Sequence, residues 1–219
     1  MVIAGIAGLV FGIAIPLVQH HLYREEEFRT NPASGRKLRA LQVFCALAAG
    51  GIGLAAFRPD HYDFGPAGLT FGFGLVMVAL SSTDFERRRI PNKLSYPAIV
   101  VAAACAWAWP DRSWDDIAWG ALAALGIAVG MVVLGVAAGV LLRTTVTPFG
   151  MGDAKLIVLI GLLTGWPAML TAVFLGVLFG GVAALFFLVR KGKRAVFSYG
   201  PYLAAGAVIV MLWYGSFVD

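Results

Sequence analysis

Long apolar runs separated by short polar connections dominate this sequence, and they constrain the fold more than any other feature. A helix that crosses a bilayer needs roughly 20 consecutive apolar residues. The chain is 60% hydrophobic and only 13% charged, whereas soluble domains are about 45–50% apolar and about 25% charged. We therefore predict an all-α polytopic membrane protein with about eight transmembrane helices, at residues 2–19, 40–57, 65–83, 94–109, 115–142, 154–166, 168–189 and 199–217.

Basic residues are distributed unevenly over the connections between these runs. Fifteen of the 17 lysines and arginines lie in alternate connections, at 20–39, 84–93, 143–155 and 190–198. Because cytoplasmic loops are enriched in Lys and Arg, we expect these connections to face the cytoplasm and both termini to lie outside. The net charge of +5 follows from this topology. It gives no support for a nucleic-acid partner.

Few side chains in the sequence are suited to binding a metal. Cys45 and Cys105 both fall within predicted spans, where single cysteines usually act as small packing residues. Two cysteines can supply neither a four-cysteine zinc site nor a disulfide framework. His20 and His21 are adjacent, so their side chains splay apart on a helix, and no third ligand is apparent. We expect no metal.

An acid stands at the start of the sixth run, in the stretch PFGMGDAKL at residues 148–156. Taken alone, Asp153 is interpreted as a helix N-cap, because Asp caps helices well and its charge is favourable at a helix N-terminus. The alternative is a catalytic acid with a partner at the same membrane depth. Gly150 and Gly152 would allow a tight turn there and the close approach of a substrate backbone.

A second acid, Asp84, follows Ser81, Ser82 and Thr83 at the end of the third run. A carboxylate is unfavourable at a helix C-terminus, where the dipole is negative, so capping does not explain it. Pairing with an arginine at 87–89 would explain it, although such interfacial pairs are often worth little. The predicted topology puts this acid and Asp153 on the same side of the membrane, where they can form a dyad.

Two carboxyl groups that share a site divide the work of peptide hydrolysis between them. Both cannot ionise easily, so one keeps its proton. One can then act as the base on a water molecule while the other protonates or polarises the peptide carbonyl. The peptide to be cut must be unwound from a helix, and Pro91 imposes an extended or turn conformation on Ile90 nearby.

Three stretches, in this order, resemble the motifs of the type IV prepilin peptidases, also called prepilin leader peptidases. The stretch TDFERRRIPNKLSY, from Thr83 on, is similar to the family's Asp followed six residues later by Ile-Pro-Asn. GMGDAKL at 150–156 resembles Gly-x-Gly-Asp-x-Lys-Leu, and YGPYLAAGA at 199–207 resembles the Gly-Pro-Tyr/Phe-Leu-Ala stretch that opens the last helix. The resemblance covers about residues 65–210.

The resemblance implies a membrane-embedded aspartic endopeptidase of the inner (cytoplasmic) membrane, with its active site on the cytoplasmic side. Its substrates would be prepilins or pseudopilins, cut after a short basic leader that precedes a hydrophobic helix. Asp84 and Asp153 match the two catalytic aspartates. No metal or cofactor is implied, and the partners are the substrate and the lipid bilayer. The other motif positions are given support roles only: Pro91, Asn92, Gly150, Gly152, Lys155, Gly200 and Pro201.

The N-terminal third departs from the family pattern. Larger bacterial members insert a cytoplasmic domain after the first helix, often with paired CxxC motifs, and also methylate the new pilin N-terminus with S-adenosylmethionine. Here the connection at 20–40 is short and contains no cysteine. We therefore expect residues 1–64 to form an N-terminal helical hairpin with a short cytoplasmic loop and 65–219 a six-helix peptidase core. A peptidase without methyl transfer is favoured, and a bifunctional enzyme is the alternative.

Two alternatives to this interpretation are another type of membrane aspartic protease and a non-enzymatic membrane protein. Proteases of the presenilin or signal-peptide-peptidase type share Gly-x-Gly-Asp, but their first acid belongs to a Tyr-Asp pair and they carry Pro-Ala-Leu. Here Thr83 precedes Asp84 and no Pro-Ala-Leu occurs. A non-enzymatic transporter or assembly component would place acids or broken helices near the bilayer midplane, whereas the notable acids of this chain lie at predicted helix ends.

Overall fold

The computed structural model describes residues 1–22, 34–60, 62–141, 151–191 and 198–213. Within these ranges there are eight α-helices, one 3₁₀ turn at Ala106–Ala108 and no strand. The predicted all-α fold is therefore confirmed, and the predicted ends of the runs lie within four residues of the helix ends wherever those ends are described. The helices are α1 (Val2–Leu22), α2 (Arg36–Ala56), α3 (Phe64–Arg87), α4 (Asn92–Cys105), α5 (Trp114–Leu141), α6 (Met151–Thr164), α7 (Ala168–Lys191) and α8 (Gly200–Trp213).

Five helices, α1, α2, α3, α5 and α7, are long and apolar enough to cross a membrane. The other three are shorter: α4, α6 and the described part of α8 contain 14 residues each. Fourteen residues rise about 21 Å, less than the roughly 30 Å of a hydrocarbon core. The chain is a multi-pass membrane protein, and its three short helices are those that carry or follow the three sequence motifs.

Helix α6 lies at the centre of the helical core. Its residues Leu156, Ile157, Leu159, Ile160 and Leu163 are each at most 1% exposed. These five residues share one side of the helix, and Leu162 on the opposite side is 9% exposed; a helix that is apolar on all sides must be buried on all sides. Helices α4, α5, α7 and α8 surround it. This central position fixes the direction in which the first turn of α6 presents its side chains.

The break after α6 lies where the sequence predicted it. Gly165 follows the last helical residue with φ +67°, a left-handed conformation that glycine adopts without the Cβ clash of other residues. Its N–H donates to the carbonyl of Gly161 at 2.9 Å, as in a helix that ends with a left-handed residue. Pro167 then directs the chain into α7.

Helices α1 and α2 pack closely against each other along their length. A Cβ added at Gly8 would lie 2.2 Å from the carbonyl oxygen of Ala49, and one at Gly12 would lie 2.4 Å from that of Cys45. Small residues let membrane helices approach in this way. Cys45 is fully buried, as predicted for a packing residue. The division of the chain into a hairpin at 1–64 and a core at 65–219 stays a prediction.

A buried polar contact joins α1 to α3. Gln19 is 1% exposed, and its Nε2 donates to the carbonyl of Ala79 at 2.9 Å. The hydroxyl of Ser82 donates to Gln19 Oε1 at 3.1 Å. Because a polar group without a partner is costly in an apolar interior, these bonds fix the position of α1 against the C-terminal half of α3. That half of α3 carries the first candidate acid.

Candidate active site

Asp84 lies in the last turn of α3 and is 6% exposed. Its Oδ2 accepts a hydrogen bond from the backbone N–H of Gly200 at 2.9 Å and another from the hydroxyl of Ser198. Gly200 is the first residue of α8, so the carboxylate stands at the positive end of a second helix dipole. That position compensates for its unfavourable place near the C-terminal end of its own helix.

The alternative partner for Asp84, an arginine at 87–89, is wrong in this structure. Within the described part of the chain, the carboxylate takes its hydrogen bonds from Ser198 and Gly200. Helix α3 ends at Arg87, and Arg88 adopts a left-handed conformation with φ 55° while its N–H donates to the carbonyl of Asp84 at 2.7 Å. The chain therefore leaves the helix at Arg88, four residues after the acid.

Gly200 is required sterically by this arrangement. A Cβ at this position would lie 2.5 Å from Asp84 Oδ2 and 3.0 Å from its Cγ. Pro201 is the second residue of α8, where the N–H that proline lacks would have no partner within the helix. The Gly-Pro pair thus begins a helix whose first N–H has no acceptor within the helix and donates to Asp84. The sequence predicts support roles for Gly200 and Pro201, but it does not indicate that Asp84 is the residue they contact.

Asp153 lies in the first turn of α6, as the third described residue of that helix, and is half-buried. The N-cap interpretation is therefore wrong in position, because the helix already includes Met151. The underlying argument holds, since an acid in the first turn still interacts favourably with the helix dipole. The predicted run begins too late because Gly150 and Gly152 suggest a tight turn there.

The charge of Asp153 acts on Tyr199. The pKa of the Tyr199 phenol lies above its ordinary value, first because burial disfavours the charged phenolate and second because of the nearby negative charge of Asp153. Tyr199 stands between Ser198 and Gly200, the two residues that bind Asp84. Asp153 therefore lies near the segment Ser198–Gly200 that binds Asp84, although 68 residues separate the two acids in the sequence.

The first two motifs also contact each other directly. A Cβ at Gly152 would lie 3.1 Å from the Cβ of Ile90, so glycine allows α6 to approach the chain between α3 and α4. Lys155 Nζ donates to Asn92 Oδ1 and lies 4.6 Å from the centre of the Tyr96 ring, a cation–π distance. Through these contacts α4 and α6 hold each other in register.

Several predicted support residues have their local conformation described. Ile90 and Pro91 are non-helical, and Pro91 is extended with φ −68° and ψ 130° directly before α4, as the sequence predicted. Gly152 is helical and packs against Ile90, so its predicted role in a tight turn is wrong. Gly150 lies outside the described residues.

Sequence reasoning missed two residues of this cluster, Ser198 and Tyr199. Ser198 donates to a carboxylate 114 residues away, and a contact at that separation leaves no local periodic pattern. The sequence signal for these two residues is their position directly before a Gly-Pro pair that begins a helix. The backbone N–H groups at a helix N-terminus lack partners within the helix and attract an acid. Ser198 and Tyr199 thus place a hydroxyl and a phenol beside the carboxylate of Asp84 and within the field of Asp153.

The comparisons with known proteins cover the same region of the chain. The sequence profile of the Type IV leader peptidase family matches residues 71–185, which include Asp84 and Asp153. No solved structure matches the chain.

Three curated relatives are each named prepilin leader peptidase/N-methyltransferase. The protein of Bacillus subtilis is 29% identical over 168 residues, which is 71% of this chain and 64% of that protein. That of Xanthomonas campestris is 31% identical over 157 residues, with coverages of 68% and 52%. That of Escherichia coli is 27% identical over 168 residues, with coverages of 76% and 70%. The matched part thus spans between about half and about two thirds of these relatives.

Proposed function

Because this chain belongs to the Type IV leader peptidase family, we propose that it is an aspartic endopeptidase that removes the short basic leader from type IV prepilins or pseudopilins. Two observations support the proposal: Asp84 accepts hydrogen bonds from Ser198 and Gly200, and the charge of Asp153 raises the pKa of Tyr199, which lies between those two residues. Two carboxyl groups near one segment can provide the acid and the base that peptide hydrolysis needs.

The proposed reaction is a direct attack of water on the scissile peptide. One carboxylate removes a proton from the water, whose oxygen bonds to the carbonyl carbon, while the protonated carboxyl donates its proton to the carbonyl oxygen. Collapse of this intermediate breaks the C–N bond, and the departing amine takes up a proton from the dyad. Asp84 and Asp153 supply these two carboxyl groups, and no metal or cofactor takes part.

The hydrogen bonds to Asp84 support this role. A carboxylate that accepts from both Ser198 and Gly200 has a fixed orientation, and fixed orientation is a large part of the catalytic effect of a positioned group. Lys155, Asn92 and Pro91 act at a distance from the reacting atoms, because they hold α4 against α6. Gly152 allows the close contact with Ile90 on which that arrangement depends.

The proposed site lies on the cytoplasmic side of the inner membrane. The two acids adjoin the connections at 84–93 and 143–155, which belong to the basic set, and basic connections face the cytoplasm. Both termini then lie outside. The site meets a substrate whose basic leader remains in the cytoplasm and whose apolar segment lies in the bilayer. Its partners are therefore the prepilin and the lipid, and no nucleic acid is involved.

Methyl transfer is not included in the proposal. The relatives carry N-methyltransferase in their names, but in this chain the connection at 20–40 contains no cysteine and leaves little room for an inserted domain. The bifunctional alternative would add one methyl group to the mature N-terminus and would require S-adenosylmethionine.

The test is the N-terminal mass of a candidate prepilin co-expressed with this protein. We expect loss of the leader with the parent and with Asp115→Asn, a matched control at an exposed acid of α5. We expect an uncut substrate with the double variant Asp84→Asn/Asp153→Asn at equal membrane levels. Cleavage by the double variant would refute the aspartic mechanism, and a methylated product would refute the peptidase-only proposal.

A further inference from the structure

We infer that a groove between α2 and α8 receives the apolar segment of the substrate as a helix, an inference that rests on the proposed function. Helix α3 forms the floor of this groove. The groove has a volume of about 330 Å³ and an almost entirely apolar lining. Six of its residues define it here: Phe44 and Gly51 on α2, Val78 on α3, and Pro201, Ala205 and Leu212 on α8.

The groove leads towards the end of α3 that carries Asp84. It adjoins a cavity of about 700 Å³, because Phe44, Ser81 and Pro201 line both spaces, and Phe85 and Glu86, which directly follow Asp84, also line that cavity. Pro201 follows Gly200, whose N–H binds the Asp84 carboxylate. A chain that lies along the groove therefore ends beside the parts of α3 and α8 that carry Asp84 and Gly200.

The walls of the groove determine the chemistry of its occupant. Helices α2 and α3 are both candidate membrane spans, so an occupant of this space is surrounded by protein and lipid rather than by water. Its side chains must be apolar, and its backbone must satisfy its own hydrogen bonds, which within a bilayer requires a helix. Small residues on both walls, Gly51 and Ala205, allow that helix to approach closely.

The length of the groove suits a helical segment. Pro201 and Leu212 both line it, and the eleven residue steps between them rise about 17 Å along α8. A helix of the same length has about three turns. The groove therefore contacts about three turns of the bound helix along one of its faces.

The order of polarity along the groove matches the proposed substrate. The wide end near Asp84 is lined by Lys37, Glu86 and Arg88, whereas the remainder is apolar. A prepilin has the same order, with a charged leader before its apolar helix and the scissile bond between them. Because the wide end carries charges of both signs, the net charge does not select the leader. The change from charged to apolar lining sets which part of the substrate lies beside the acid.

A groove-filling variant tests this inference. A Cβ at Gly51 meets no atom within 4 Å and Gly51 lines the groove, so the side chain of Gly51→Leu begins in open space and narrows the groove. Gly126→Leu on α5 is the matched control, because a Cβ there also meets nothing within 4 Å and the position does not line the groove. With purified protein in bicelles and an intact prepilin, we expect Gly51→Leu to raise KM about tenfold with kcat nearly unchanged, and Gly126→Leu to alter neither.

Cross-linking provides a second readout that does not depend on the effect of a bulky side chain. In a Cys45→Ala/Cys105→Ala background, Ala205→Cys places a thiol in the groove and Val129→Cys places one on the exposed side of α5. With an added thiol oxidant, we expect a prepilin with one cysteine in its apolar segment to form a disulfide with the first variant and not with the second. Equal cross-linking at both positions, or at neither while cleavage continues, would assign the groove to lipid and overturn the inference.

The two proposals fail in different ways. A parent protein that leaves an intact prepilin uncut would refute the proposed function. A parent that cuts normally, together with equal effects of Gly51→Leu and Gly126→Leu on KM, would refute the groove alone.

Discussion

The distance between Gly200 and Asp84 leaves no space for a side chain at position 200. The backbone N–H of Gly200 and the carboxylate form a 2.9 Å hydrogen bond, and the space that a Cβ would need is occupied by Oδ2. The glycine is therefore required by a contact with a distant residue. Its own backbone is that of the first residue of α8, a conformation open to most residues.

Gly200→Ala should consequently impair cleavage more than folding. The methyl group forces the carboxylate away from the N–H, and a displacement of about 1 Å can cost roughly 100-fold in rate. The measurement is kcat on an intact prepilin, with membrane level as the folding control. Gly72→Ala is the matched variant, because a Cβ there meets open space. Equal rates for the two variants would contradict the steric account.

The phenol of Tyr199 reports on the position of Asp153. Burial raises its pKa, and the Asp153 charge raises it further, so the folded state retains this proton at a pH where the unfolded chain has lost it. The contribution of this proton to the free energy of unfolding is complete below the ordinary tyrosine pKa. It is lost as the pH rises through the pKa of Tyr199 in the folded state.

In the variant Asp153→Asn, the pKa of Tyr199 should decrease but remain above the ordinary value, because burial persists while the charge is removed. Tyrosine ¹³Cζ chemical shifts measured from pH 9 upward would follow the ionisation, with Tyr199→Phe used to assign the resonance. An unchanged pKa in the variant would mean that Asp153 does not approach the segment Ser198–Gly200.

At the scale of elements, α4 and α6 are joined by a polar contact at their N-terminal ends. Lys155 of α6 donates to Asn92, the first residue of α4, and lies over the ring of Tyr96 one turn later. Both helices contain only 14 residues. Such short helices depend on contacts with their neighbours for their position, since packing supplies most helical stability in proteins.

The substitutions Lys155→Met and Asn92→Ala should therefore be strongly non-additive. Either one removes the hydrogen bond, so the second adds little, and contacting residues typically show coupling of about 0.5–3 kcal/mol. Thermal unfolding of the parent, both single variants and the double variant in the same detergent measures this coupling. Strict additivity would show that the contact contributes nothing to the position of α4 against α6.

The close packing of α1 on α2 predicts that a methyl group at Gly12 destabilises the protein. A Cβ at Gly12 would lie 2.4 Å from the backbone of Cys45 and Ala46, so Gly12→Ala must separate the two helices. Overpacking of this kind costs about 1–3 kcal/mol, and we expect a decrease in melting temperature of several degrees. Gly51→Ala on the same pair of helices has open space for its methyl group and should leave the melting temperature unchanged. Similar melting temperatures for the two variants would contradict the packing described here.

At the scale of the whole molecule, the sequence predicts most of the architecture. Apolar runs mark the helices because the bilayer requires long apolar segments, and Gly165 and Pro167 correctly marked the end of α6. The start of α6 was placed too late. Met151 and Gly152 lie in a glycine-containing stretch that suggests a turn, whereas Gly152 packs within the helix against Ile90.

The candidate site could be predicted only in part. Asp84 and Asp153 are identifiable because the interiors of the apolar runs contain almost no ionisable residues, which makes the acids at their cytoplasmic ends easy to find, and because a carboxylate near a helix C-terminus needs an explanation. The explanation found in the structure, the N–H of Gly200 and the hydroxyl of Ser198, depends on how α3 packs against α8. Such contacts between distant segments have no periodicity that a single sequence would reveal.

The most direct test of the central claim, that the two acids work as one unit, is a double-mutant cycle on kcat. Purified parent, Asp84→Asn, Asp153→Asn and the double variant would be compared on one intact prepilin under single-turnover conditions. Groups that act together are strongly non-additive. We expect each single variant to lose roughly 1,000-fold in rate, within the range for general acid–base catalysis, and the double variant to lose no more. Losses that multiply in the double variant, or a single variant close to parental rate, would contradict the account.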